Sequence, residues 1–215
     1  MSSKQPVIVK ISGLCGIFSP IVAFVCISFA IYHSDWYTWT GNWLSDLGGI
    51  PGETPIWASR GIASVIFNSG LIIAGVMGMV FASNIRKIRM LNTRLGRIGT
   101  LFLILDMFAL CAVGIFPETT GNMHTLVALI FFVLVALSLL TIGTAVRKSS
   151  GKTLGWFVTL LGAITLCSFP FLFIPQPWGS NAVIEMFPIV SISAFAIVFG
   201  IGLLIDKVEI IQPYI

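Results

Sequence analysis

Few residues in this chain could do chemistry, and most of those lie close together. Asn42, Ser45 and Asp46 sit in "NWLSDLGG", and Glu118 and His124 sit in "GIFPETTGNMH". Two carboxylates and an imidazole can ligate a divalent cation, so Asp46, Glu118 and His124 are the metal candidates if a metal is used. Read differently, Ser45, Asp46 and His124 supply a nucleophile, an orienting acid and a base. The third reading is architectural. Asp and Ser close turns and cap helix ends, while the "GG" and "PG" pairs provide special backbone angles. None of the spacings forms a known signature: there is no H-E-x-x-H, no G-x-S-x-G and no P-loop. No cofactor is predicted from these residues, and no reaction class is fixed.

Two more polar residues interrupt apolar runs: Asn68 in "IFNSGL" and Asp106 in "LILDMFALC". Counted along a helix at about 1.5 Å per residue, both reach mid-depth of a membrane. An ionised carboxylate there costs several kcal/mol, so Asp106 should face the interior of a helix bundle. An Asp106–Asn68 hydrogen bond is the expected pairing. As a clasp between helices it contributes about 1 kcal/mol. As a functional group, Asp106 would accept protons or touch a substrate.

The elements that position these groups follow from composition. The chain has 215 residues, 57% of them hydrophobic and only 9% charged, with a mean hydropathy of +1.01. Soluble domains carry about 25% charge. Six apolar runs stand out, roughly Ile11–Tyr32, Trp57–Ala82, Ile98–Phe116, Met123–Val146, Leu154–Ile174 and Val183–Ile205. Each is close to the roughly 20 residues that span a bilayer as helix, where backbone groups must be satisfied within the segment. The expectation is one transmembrane domain over residues 1–215, an all-α six-helix bundle. The first run lacks a small-residue cleavage site and reads as an uncleaved helix. Ala74 and Gly78 form a small-xxx-small pair suited to close helix contact. Pro170 and Pro188 should kink the last two helices. Pro117 should end the third near Phe116, and Asn122 can cap the fourth.

Charge sets orientation. Lys4 and Lys10 precede the first run, five basic residues from Arg86 to Arg97 join the second and third, Arg147, Lys148 and Lys152 join the fourth and fifth, and Lys207 follows the sixth. Only Arg60 falls on the other side. By the positive-inside rule both termini are cytoplasmic in a multi-pass protein of the cell membrane. Topology accounts for the basic charge, so nucleic acid is not an expected partner. The opposite face collects Asp35, Asp46, Glu53, Glu118 and Glu185, both histidines, and Trp36, Trp39, Trp43, Trp57 and Trp178 as an interfacial belt. The long loop of residues 33–56 should fold over that mouth as a polar extracytoplasmic cap. Cys15, Cys26, Cys111 and Cys167 each lie in an apolar run and read as small buried hydrophobes.

The strings "NWLSDLGG", "IFNSGLIIAGV" and "GIFPE" followed by His124 resemble the prokaryotic membrane family known as domain-of-unknown-function family 998. Its recurrent positions fall here on Asn42, Ser45, Asp46, Gly48, Asn68, Phe116, Pro117 and His124. The resemblance implies a six-helix layout and a defined polar cluster at the outer face. It extends distantly to the Frag1/DRAM/Sfk1 membrane proteins, some of which are linked to lipid metabolism. The leading expectation is binding or processing of a membrane lipid or other amphiphile at a polar pocket in the outer leaflet. The alternatives are an accessory subunit partnered with other membrane proteins, a metal-dependent hydrolase, and a transporter using Asp106, although two similar halves are not evident.

Overall fold

The structure, a computed structural model, describes residues 6–149 and 151–205. Lys4 and Lys207 lie outside the described residues, so their part in the charge count is not placed by it. Six helices follow one another: α1 (Val7–Tyr32), α2 (Ile62–Ile85), α3 (Arg94–Ile115), α4 (Asn122–Lys148), α5 (Lys152–Ser168) and α6 (Ala182–Leu204). All six, α5 with its extension to Phe173, are long and apolar enough to cross a membrane. No strand occurs among the described residues. The protein is an all-α, multi-pass membrane protein.

The helix ends differ from the apolar runs for local reasons. α2 starts at Ile62 rather than Trp57, because Gly61 takes φ 62° and breaks the helix there. α3 starts at Arg94, ahead of its apolar run, because Thr93 Oγ1 accepts from Gly96 N–H at 3.0 Å and caps it. α3 ends at Ile115, just before Pro117, as expected. Asn122 does not cap α4. Gly121 holds that position at φ 60° with no side-chain hydrogen bond, and Asn122 is the first helical residue. Pro170 does not kink a helix either, since α5 stops at Ser168 and the chain continues as a 3-10 turn, Phe169–Phe173. Pro188 does lie inside α6, and Pro20 lies inside α1, where hydropathy gave no warning.

Consecutive helices pack as neighbours, and α6 returns to close against α1. That closure is tight because the contact is glycine on glycine. A Cβ added at Gly13 would lie 2.8 Å from Gly200 O, and one added at Gly200 would lie 2.7 Å from Gly13 O. Without side chains the two backbones can approach, which is how membrane helices gain dispersion contacts. The Ala74 and Gly78 pair serves two neighbours. Ser19 Oγ on α1 donates to Ala74 O at 2.8 Å, while Gly78 abuts Met107 of α3. The bundle has two unlike ends. The residues joining α2 to α3 and α4 to α5 form a basic end. The long α1–α2 segment meets the α3–α4 and α5–α6 connections at the other, here called the loop end.

Candidate functional site

The α1–α2 segment is drawn onto the bundle by two buried leucines, Leu44 and Leu47, at 2% and 0% exposure. They flank Ser45 at the start of the 3-10 turn Ser45–Gly48. The turn is fastened from three directions. Leu44 N–H donates to Glu185 Oε2 of α6 at 2.5 Å, and Ser45 Oγ donates to Glu185 Oε1 at 3.3 Å. Gly48 O accepts from Asn68 Nδ2 of α2 at 3.1 Å, and a Cβ at Gly48 would sit 2.6 Å from Asn68 Oδ1. Toward the α3–α4 hairpin, Thr119 Oγ1 donates to Ile56 O at 2.9 Å and Gly52 N–H to Thr119 O at 3.3 Å. Asp46 acts within its own turn, where Oδ2 accepts from Trp43 N–H at 2.9 Å and Asn42 Nδ2 at 3.2 Å.

The hairpin contributes Glu118 and His124. His124 Nδ1 lies 2.8 Å from Phe116 O. A carbonyl only accepts, so Nδ1 carries a proton and donates. Nε2 of the neutral ring is then a bare lone pair, 3.8 Å from Glu118 Oε2 and too far for a hydrogen bond. Glu118 Oε2 is buried and has no hydrogen-bond partner. Burial pushes the Glu118 carboxyl up to about 7; the Ser45 hydroxyl opposes the shift and Asp46 adds to it. Tyr37 joins the cluster from the loop. Its hydroxyl is buried and unpartnered, and burial, then Glu185 and Asp46, raise its pKa.

Asp46, Ser45, Glu118 and His124 therefore share one end of the bundle, but not in the arrangements chemistry would need. The Ser45 hydroxyl is held by Glu185 and the His124 ring by Phe116, so Ser45, Asp46 and His124 form no hydrogen-bonded nucleophile–acid–base chain. Among the described residues no three His, Cys, Asp or Glu side chains converge as a metal-ligand group, and this includes Asp46, Glu118 and His124. Asn68 is not at mid-depth. With α2 starting at Ile62 it lies only about 9 Å along the helix, within reach of the loop. It does not pair with Asp106. Both Asp106 oxygens are buried without a hydrogen-bond partner, and Asn68 Oδ1 likewise.

Glu185 is the member that the sequence reading counted among the acids of this face without placing it in the cluster. The available signal was its position, four residues into the apolar first turn of α6 in "AVIEMF". A carboxylate there needs a partner, and the loop supplies two donors.

Beneath the turn lies a cavity of about 90 Å³. Ser45, His124 and Glu185 line one end, and the walls are mainly apolar side chains of α1, α2, α3, α4 and α6, with the Ser19 and Ser193 hydroxyls further along. The lining runs from Phe67 to Phe81 along α2, a distance of about 21 Å. At roughly 10–15 Å³ for each water-sized group, the space takes about six to nine such groups.

No curated protein and no solved structure matches this chain. The family described as "Protein of unknown function (DUF998)" matches over residues 17–202, nearly the whole bundle, and the chain belongs to that family.

Proposed function

We propose that this protein binds a lipid-like amphiphile, with its chain in the intrabundle cavity and its polar end among Ser45, His124 and Glu185. One observation carries the reading: a largely apolar cavity whose titratable lining side chains, His124 and Glu185, lie together at one end beside Ser45. Amphiphile sites combine apolar walls with a few convergent polar groups in this way. The loop end is taken as extracytoplasmic. Lys10 and the eight basic residues from Arg86 to Lys152 all lie at the basic end, against Arg60 alone at the loop end.

The test fills the cavity. Ala128 lines it one turn beyond His124. Ala128→Phe places a ring in the chain's path at a cost of about 1–3 kcal/mol in overpacking. Mass spectrometry of full-length protein purified in a neutral detergent should find a co-purified amphiphile on the wild type. Most of it should be lost from Ala128→Phe at an unchanged gel-filtration profile. Equal amounts on both, or none on the wild type, would remove the proposal.

A further inference from the structure

The cavity mouth also constrains the headgroup, an inference that rests on the amphiphile reading. The mouth is acidic and lacks a free cation. Asp46 and Glu118 lie close enough to Glu185 to act on it electrostatically. Among the described residues, Arg60 is the single Lys or Arg at this end, and Glu53 already holds it, at 2.7 Å and 2.9 Å. A second, independent feature points the same way. His124 lines the cavity at 5% exposure, and its Nε2 makes no hydrogen bond. It faces Glu118 Oε2, also without a partner, at 3.8 Å. Two acceptors face each other without a hydrogen bond, and the Glu118 oxygen is buried. Leaving such groups unsatisfied is costly, and a donor from outside the chain would relieve both.

We propose that the bound amphiphile carries a protonated amine, whose N–H groups bridge Glu118 Oε2 and His124 Nε2 while Asp46 supplies countercharge. A primary ammonium has three donors and fits this geometry. A quaternary ammonium has none to give. A carboxylate or phosphate headgroup meets three acids and no free cation.

Matched eight-carbon probes test this on the full-length protein in neutral detergent: radiolabelled octylamine, competed by octanol, octanoate and octyltrimethylammonium. Octylamine should bind about tenfold tighter than each competitor, the effect of one charge-assisted hydrogen bond. In Glu118→Gln that preference should largely vanish, with octanol binding changing less than octylamine binding. The wild-type ranking stands as a test by itself if the variant does not fold. Equal binding of all four, or preference for octanoate, with every probe blocked by Ala128→Phe, overturns the headgroup assignment and leaves the cavity reading standing. No binding by any probe, or binding indifferent to Ala128→Phe, overturns both.

Discussion

The two ends of the bundle use charge in opposite ways. At the basic end the partners are local in sequence. Lys87 Nζ donates to Asn84 Oδ1 at 2.9 Å, Thr93 caps the helix it precedes, and Arg147 lies 3.9 Å from the centre of the Trp156 ring. At the loop end, local pairs are joined by remote ones. Leu44 and Ser45 meet Glu185 across 141 and 140 residues, and Asn68 reaches back 20 residues to Gly48. Charge that only sets topology can stay solvated, where a contact contributes little. Charge drawn into tertiary contact is desolvated and must be satisfied or left wanting. Buried polar atoms of the loop end, on Tyr37 and Glu118, are left wanting.

Glu185→Ala should break the contrast most severely. It strands the Leu44 N–H and the Ser45 hydroxyl, and should cost about 3 kcal/mol in detergent thermal unfolding. Cleavage by protease in the loop should rise with it. A smaller effect is expected from Glu118→Gln, and it depends on pH. A carboxyl whose folded pKa is raised stabilises the folded chain in its neutral form. That contribution is complete below the unfolded value of 4.5 and is lost as pH rises to about 7. Asp46 on the loop, His124 on α4 and Glu185 on α6 face Glu118 in both proteins, so the difference isolates its share. From about pH 5 to about pH 8 the wild type should lose about 1–2 kcal/mol relative to the variant, allowing for solvent screening. The smallest change belongs to the basic end. Thr93→Ala removes a cap and should cost about 1 kcal/mol, with no effect on amphiphile binding. A loss of binding there would undo the division of labour between the ends.

The sequence made the helices readable because hydrocarbon admits few other backbones. Their ends were less readable, since Thr93 and Gly61 act through dihedrals and caps that hydropathy does not register. Asp46, Ser45, Glu118 and His124 were legible as loop-end neighbours because tight connections fix which ends meet. Their partners were not. Glu185 lies on α6, and only the closure of α6 on α1 brings it to Leu44. Counting Trp57 as helix sets Asn68 too deep, since α2 starts at Ile62. Asp106 was expected to pair with Asn68, but the loop takes the Asn68 amide first.

The Gly13 and Gly200 contact carries a consequence for biogenesis. α6 leaves the ribosome after the other five helices, and it alone carries the carboxylate that holds Leu44 and Ser45. Until α6 inserts and docks on α1, the loop has no latch on that side. Completion of the mouth thus waits on the synthesis of α6, and a chain arrested after α5 would present an unlatched loop to quality control.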